Sequence, residues 1–582
     1  MTTEQPQNDK DSSITTLLAA ESLGIQSARD AAEMLFSKPI PHLRARIKDE
    51  ILRHEVTEEE LNIAANFGRF PYRPSDLFLK LFHNVLCTLK RDPSVGCVSP
   101  SLIGTSGVIP LSIISTIPDI MQHYYHCIVH AQREVLLATN YWEKSVSVSI
   151  IAKALRALNK RAENDGRVVI VKIMIDHPTL DNLLHYHSIL PVDKWPDYDI
   201  PLPHEIPHLS LEVNNYHRMI MGTFHSKFMI VDRRLALLNS NNIQDRPNLE
   251  MMSHFEGEIV HSFYDTYLIS WWVPFQPNLV CLKRENDHHD DYQFGMNNRQ
   301  IFSLEQPLKH AIAKARLRLQ HHLEHEGRDG SDVYFDRRNN SERFSSVAIQ
   351  ALVHHRRSHS PSVLAKATSD LTGAIIGHDM TPRSDSPLTV HLNKSSQSAR
   401  STKSDGSLSD EELERLTFDF CPFIFHRPHQ PIPIALVNRP ARGTPGHVDT
   451  ANPQDAAWMG AFRFAKKSVF IQSPTLNASP AIEGIIDACR RGITVTLWLG
   501  LGFNDLVEGF GTFQGGTNEQ VVKKLYKKLH ERKDGAEKFL EVFWYTGKGT
   551  WEVFEEINSH QRNSSRSNTT TQFLSKMSQL SY

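Results

Sequence analysis

The chain has 582 residues, which is more than one hydrophobic core usually contains, so we expect two domains together with segments that lack a core. Its formal net charge is −2, which argues against a globally basic nucleic-acid binder, although a local basic cleft would not show in the total. The six cysteines form no C-x-x-C pair, so the sequence predicts neither a metal site nor a disulfide framework and favours a reducing intracellular compartment.

The beginning of the chain is predicted to lie outside the main α/β units. Residues 1–14 are polar, without a basic stretch followed by an apolar one, so we expect a disordered tail and no secretory signal. Apolar residues recur at helical spacing from residue 15 to residue 97. The sequence therefore predicts a helical extension that packs against the unit that follows.

An uncharged window at residues 98–118 is the strongest candidate for membrane contact. It contains polar residues and two internal prolines, Pro100 and Pro110, which argue against a spanning helix. We interpret it as a buried loop before a helix; the alternative is an apolar loop over a lipid-accepting site. We accordingly expect an intracellular protein, cytoplasmic or peripheral to a membrane, without a transmembrane segment.

Residues 98–284 are predicted to form a first α/β unit. Apolar runs at 134–139 and 168–175 are typical of strands buried on both faces, and the order strand, helix, strand implies a parallel layer. The other predicted elements are helices at 119–133, 147–164 and 259–272, and a short strand at 209–213.

The polar residues of this unit concentrate between Phe224 and Asn242. His225, Lys227 and Asp232 spell H-x-K-x4-D, and a strand there would point His225 and Lys227 to the same face. A return strand at 235–238, after an Asp-Arg-Arg turn, would bring Ser240 and Asn242 to the same rim. An imidazole, an ammonium, a hydroxyl and an amide are therefore predicted on adjacent strands.

This set of groups matches the needs of phosphoryl transfer. A neutral imidazole is a nucleophile, and Lys227 and Asn242 offer donors for phosphate oxygens as negative charge builds. Neither a metal nor another cofactor is required. The spacing resembles the signature of the phospholipase D superfamily, H-x-K-x4-D-x6-G-S-x-N, with Asn239 where that family usually has Gly.

The resemblance implies a fold and a mechanism. The fold would be α/β, with two duplicated half-domains, each a mixed sheet flanked by helices, whose two signatures meet at a pseudo-twofold interface. One histidine attacks phosphorus to give a phosphohistidine, and the other protonates the leaving oxygen. By this resemblance His225 is the nucleophile or its acid/base counterpart, while Lys227, Ser240 and Asn242 bind phosphate.

The resemblance also assigns roles to three carboxylates. Glu250 is expected to orient an imidazole, with Glu256 as the fallback for that role. Asp232 belongs to the catalytic signature, yet its parity and its place at the strand's end predict that it supports the hairpin instead.

The second part of the chain is predicted to contain an insertion and a repeat. Residues 285–417 are rich in charge, His, Ser and Asn, which indicates a mostly disordered insertion. Its basic islands at 308–325 and 346–357 are expected to be solvated helices, or else sites for anionic lipid or a calmodulin-like partner. Residues 418–548 repeat the order of elements of the first unit, which predicts a duplication.

The repeat lacks a second H-x-K-x4-D, and residues 549–582 form an aberrant polar tail in which His560 matches only by distance. Three hypotheses remain. The chain is a phosphodiesterase acting on phospholipid, impaired unless a second copy in a homodimer completes the site; a catalytically inactive phosphate- or lipid-binding module; or a nucleic-acid phosphodiesterase, which the near-zero net charge disfavours.

Overall fold

The structure is a computed structural model that describes residues 12–20, 23–37, 54–115, 117–177, 185–218, 222–244, 250–283, 423–441, 451–500 and 517–545, together with the single positions 294 and 411. The predicted basic islands, the tail at 549–582 and His560 lie outside the described residues.

The helices within these ranges are α1 (Ile14–Ala19), α2 (Ala28–Phe36), α3 (Glu58–Phe67), α4 (Asp76–Arg91), α5 (Ile117–Val129), α6 (Val146–Asn164), α7 (Ile259–Trp271), α8 (Pro453–Phe464), α9 (Ser479–Arg490) and α10 (Asn518–His530). The strands are β1 (Gly104–Ser115), β2 (Glu134–Ala138), β3 (Val169–Ile175), β4 (His187–Ile189), β5 (Leu209–Arg218), β6 (Gly222–Thr223), β7 (Phe228–Val231), β8 (Leu235–Asn239), β9 (Glu250–Glu256), β10 (Phe423–Phe425), β11 (Ile432–Ala435), β12 (Ser468–Ser473), β13 (Thr494–Gly500) and β14 (Leu540–Tyr545).

Most of these strands form one large mixed sheet. Its order is β10-β1-β9-β8-β7-β2-β3-β5-β4, with β11 also paired to β1 and β6 to β5. β2, β3 and β5 are parallel, whereas β7, β8, β9 and β1 follow one another antiparallel. The described part of the protein therefore has the predicted α/β architecture, a large mixed sheet flanked by helices.

Helices cover both faces of this sheet, which explains the unbroken apolar runs of its central strands. Val135 and Leu137 of β2 pack with α5 and α6 on one face, while Leu136 and Ala138 pack with α1, α2 and α7 on the other. Successive side chains of a strand point to opposite faces, so a strand with two buried faces needs apolar residues at every position.

The predicted loop at residues 98–118 is wrong for most of its length. Residues 104–115 form β1, which pairs with β9 on one side and with β10 and β11 on the other. Pro110 has no amide hydrogen for a ladder, and it lies where the register with β9 shifts, between Val108 and Leu111. An irregularity of this kind is where a proline is tolerated inside a sheet.

β1 also contains a glycine whose missing side chain allows close packing. A Cβ atom at Gly107 would lie 2.6 Å from the main-chain oxygen of Glu256 and 2.6 Å from the side chain of Ile259. The strand therefore approaches β9 and α7 more closely than any larger residue would permit.

A second sheet contains β12, β13 and β14 in parallel order, packed with α8, α9 and α10 around a separate core. Its order of helix, strand, helix, strand repeats that of α5, β2, α6 and β3. β10 and β11, which fall within the predicted second unit at 418–548, instead hydrogen-bond to β1 of the large sheet.

The predicted extension at 15–97 contains α1 to α4, of which α1 and α2 pack on α7, and α3 and α4 form a further small core. Within the described ranges, every helix is too short or too polar to traverse a lipid bilayer.

Candidate active site

Strand pairing brings three loops to one edge of the large sheet. β7 places Phe228 opposite Ala138 of β2 and opposite Leu238 of β8, and β9 places Met252 opposite Asn239. Because these neighbours are antiparallel, the start of β7, the end of β8 and the start of β9 share the edge at which the parallel strands β2 and β3 end. The predicted residues at this edge are His225, Lys227, Ser240, Asn242 and Glu250.

The backbone at His225 and Lys227 differs from the prediction. β7 begins only at Phe228, so the two residues precede the strand instead of sharing one of its faces. His225 is exposed, whereas Lys227 is 5 % exposed and its ammonium donates a hydrogen bond to the main-chain oxygen of His225 at 2.8 Å. The Lys227 side chain therefore turns back toward the main chain of His225.

The surroundings of His225 favour the neutral imidazole. Although His225 is partly exposed, the surrounding protein removes water from the rest of the ring, and this loss of hydration, followed by repulsion from the positive charge of Lys227, lowers the pKa of His225 to about 4. At neutral pH the ring is therefore uncharged and retains a lone pair for attack on an electrophile.

The pKa of Lys227 is also lowered. Burial lowers the pKa of Lys227 to about 7, although the negative charges of Glu250 and Asp176 act to raise it. Near neutral pH the amine is charged in roughly half of the molecules. A bound anion would stabilise the charged form, so phosphate binding and protonation of Lys227 are expected to be coupled.

Ser240 and Glu250 are joined directly. The Ser240 hydroxyl donates to Glu250 Oε2 at 2.5 Å and accepts from the main-chain amide of Met251 at 2.9 Å. Ser240 is exposed at the rim of the edge. Glu250 thus positions the serine and faces the lysine charge, while its expected role in orienting an imidazole remains a prediction.

Asn242 lies at the same edge, three residues after the end of β8. Its main-chain oxygen accepts from the side-chain amide of Asn241 at 2.9 Å, whereas its own Oδ1 is buried and accepts no hydrogen bond in the described structure. Rotation of the amide by 180° would put the Nδ2 donor at the same position. In either orientation, a ligand would reach the atom at this position only after the side chain moves, because the position is buried.

Asn239 shows how this chain accommodates a side chain where the similar family usually has glycine. Its Oδ1 accepts from the hydroxyl of Tyr124 at 2.5 Å, and its Nδ2 donates to the main-chain oxygen and the Oδ1 of Asn241. The amide therefore links α5 to the turn that carries Asn242.

Sequence reasoning missed two polar residues that hold the backbone before His225. Asp176 Oδ2 accepts from the amide of Phe224 at 2.6 Å, and its Oδ1 lies 2.5 Å from His217 Nδ1. Asn140 donates to the main-chain oxygen of Phe224 at 3.1 Å. Asp176 and Asn140 follow β3 and β2, and polar residues at the carboxyl ends of parallel strands are the signal that could have identified them.

Two of the three predicted carboxylates lie away from this edge. Asp232 is at the other end of β7, where its carboxylate accepts three main-chain amides, from Gln132 at 2.7 Å, Arg133 at 2.7 Å and Glu134 at 2.9 Å. Glu256 is at the far end of β9 and contacts His254 Nε2 at 3.1 Å. Of the two candidates for orienting an imidazole, only Glu250 shares the edge with His225.

Comparison with known proteins finds only weak structural similarity. No protein-family model matches the chain, and no curated protein is similar to it in sequence. Among solved structures, phosphatidylserine synthase from Haemophilus influenzae Rd KW20 is 10% identical with a TM-score of 0.35, covering 76% of each chain.

Two further structures match shorter parts. NucT from Helicobacter pylori is 16% identical with a TM-score of 0.19, covering 29% of this chain and 99% of its own. TrmBL2, described as an archaeal chromatin protein, is 20% identical with a TM-score of 0.18, covering 28% of this chain and 53% of its own. Similarities of this size assign no activity to the chain.

Proposed function

We propose that the chain is a phosphodiesterase of the phospholipase D type, which cleaves phospholipid phosphodiester bonds through a phosphohistidine at His225. The observation that carries this proposal is the presence of a neutral imidazole, a buried lysine and an asparagine amide at one edge of the sheet, in the spacing of the H-x-K-x4-D signature.

Each residue has a defined part in the proposed first step. A ring nitrogen of His225 attacks phosphorus, forming an N–P bond as the bond to the leaving alcohol breaks. The ammonium of Lys227 and the amide of Asn242 hold the non-bridging oxygens, whose negative charge increases in the transition state. Asp176 and Asn140 hold the backbone of Phe224 and so position the nucleophile.

The leaving alkoxide must take up a proton, and the resemblance assigns that proton to a second histidine. The sequence contains a single H-x-K-x4-D. We therefore propose slow turnover by one chain, or completion of the site by a second copy. Loss of a general acid typically costs about 10²–10⁴-fold in rate.

The proposal includes the domain organisation predicted from the sequence. The sheet from β12 to β14 would be the incomplete second half of a duplication, packed against the extension through α8 and α4. Residues 423–435 would then be a connecting segment that completes the first sheet.

The test measures cleavage of phosphatidylcholine vesicles and of bis(4-nitrophenyl) phosphate by the wild type, His225→Ala and His204→Ala. His204 is an exposed histidine in the short 3-10 helix Pro203–Glu205, so its variant controls for loss of an imidazole. We expect cleavage by the wild type and the control, none by His225→Ala, and an acid-labile phosphorylated His225 in quenched reactions. Equal rates for the wild type and His225→Ala would refute the proposal.

The missing second signature favours one other candidate, a phosphate- or lipid-binding module without turnover. This candidate predicts vesicle binding that weakens in Lys227→Met while neither substrate is cleaved.

A single-stranded DNA arm in the same assay tests the nucleic-acid hypothesis, which requires cleavage of DNA in preference to lipid.

A further inference from the structure

Three buried side chains, His123, Cys127 and His254, converge between α5 and β9. His123 and Cys127 are four residues apart on α5, which places them on one face of the helix, and His254 lies on β9. His123 is 3 % exposed, and the other two are fully buried. Within the described part of the chain, this is the group whose three potential ligand atoms all lie within 4.8 Å of one another.

The distances are close to those of a tetrahedral site. With ordinary bond lengths, tetrahedral Zn²⁺ separates a ligand nitrogen from a ligand sulfur by about 3.5 Å and two nitrogens by about 3.3 Å. Here Cys127 Sγ lies 3.6 Å from His123 Nε2, and His123 Nε2 lies 3.0 Å from His254 Nδ1. To share one ion, the two ring nitrogens would separate by about 0.3 Å, and Cys127 Sγ and His254 Nδ1, which lie within 4.8 Å of each other, would come to about 3.5 Å.

A carboxylate orients one of the rings for this purpose. His254 Nε2 lies 3.1 Å from Glu256 Oε1, and both residues are buried. Donation of the Nε2 proton to this carboxylate leaves the lone pair on Nδ1, the atom that faces His123. A carboxylate behind a histidine is the usual way in which proteins fix the tautomer of a metal ligand.

We propose that His123, Cys127 and His254 bind one zinc ion in the core between α5 and β9, with Glu256 as the positioning residue behind His254. Three protein ligands leave the fourth position to a water molecule or another small donor. Binding releases the thiol proton of Cys127, while the proton that His123 Nε2 shares with His254 moves to His123 Nδ1 and so frees Nε2 for the ion.

The ion would have a structural role near the candidate active site. α5 also contributes Tyr124, whose hydroxyl bonds Asn239 at the end of β8. A zinc ion bound by His123, the residue next to Tyr124, would link α5 to β9. It would thereby stabilise the edge that carries Asn242 and Glu250. This inference is independent of the phosphodiesterase proposal, because it concerns metal content and not turnover.

The test is the metal content of the full-length protein, purified after growth with zinc and measured by inductively coupled plasma mass spectrometry. We expect about one zinc per chain in the wild type. Reconstitution of the metal-free protein with Co²⁺ should give the visible bands of a tetrahedral site and a thiolate-to-cobalt charge-transfer band.

Two variants test the site, and a third is the control. Cys127→Ser should lose the charge-transfer band, and Glu256→Gln should weaken metal affinity by about 10–100-fold. Cys87→Ser is the matched control, because Cys87 is a buried cysteine four residues after a histidine, His83, on another helix. Its metal content and spectrum should equal those of the wild type.

The wild-type cobalt spectrum decides the question even if Cys127→Ser fails to fold. A folded wild type that binds neither ion stoichiometrically, or that binds cobalt without the thiolate band, would overturn the proposal. The cluster would then be a hydrogen-bonded chain from His123 through His254 to Glu256. Equal loss of metal in Cys87→Ser and Cys127→Ser would also overturn it.

Discussion

Removal of the Asp232 carboxylate should destabilise the fold, because this residue anchors the turn between β7 and β8 to the start of β2 and lies away from the site edge. Its two oxygens accept three main-chain amides at the start of β2, all within 2.9 Å. Its backbone, with φ of 53°, occupies the left-handed region that Asn tolerates better than most residues. Asp232→Asn therefore changes the hydrogen bonds while preserving the turn.

The expected magnitude follows from the number of bonds lost. Each hydrogen bond to a charged acceptor contributes about 1.5–3 kcal/mol, and the substituted amide of Asp232→Asn replaces one acceptor oxygen with a donor. We expect a loss of about 1.5–3 kcal/mol for Asp232→Asn. Asp232→Ala removes all three bonds and should cost about 3–5 kcal/mol, less than three times the single value because the amides share one carboxylate.

Urea denaturation followed by far-ultraviolet circular dichroism measures this loss, with the exposed Asp193→Asn as the control for a change of charge. If the free energy of unfolding of Asp232→Asn lies within about 0.5 kcal/mol of the wild-type value, the anchoring role of the carboxylate is refuted. A variant that keeps its stability but loses phosphodiesterase activity would place Asp232 in the catalytic machinery instead.

The other predictions concern activity and packing. The phosphodiesterase rate should fall as the pH drops through the His225 pKa of about 4, where the ring becomes protonated, and as the pH rises through the Lys227 pKa of about 7, where the amine loses its charge. A rate that stays the same across both pH ranges would contradict these assignments. Gly107→Ala should cost about 1–3 kcal/mol in urea denaturation, because its Cβ would lie 2.6 Å from the main-chain oxygen of Glu256, and an unchanged midpoint would show that β1 can shift. Asp265→Asn should lower the melting temperature, because its buried carboxylate accepts main-chain amides from two segments that are distant in sequence; equal melting of both proteins would argue against that anchor.

Local sequence determined the elements that are recognisable from a few consecutive residues. β2 and β3 are buried on both faces, so their runs of consecutive apolar residues identify them without any knowledge of their partners. The Asp-Arg-Arg turn and the return strand β8 were predicted for a similar reason, since turn chemistry and a short apolar run act over a few residues. The composition of the H-x-K-x4-D stretch also located the candidate site.

Only the tertiary structure decided the arrangements that depend on distant pairing. β1 carries a proline and glycines and looks like a loop, yet β9, β10 and β11 supply its hydrogen-bond partners from more than 130 residues away. The same long-range register brings Asp176 to the backbone before His225 and His254 to Cys127. Sheet register is a property of the assembled chain, because each strand's place is set by partners that no local window contains.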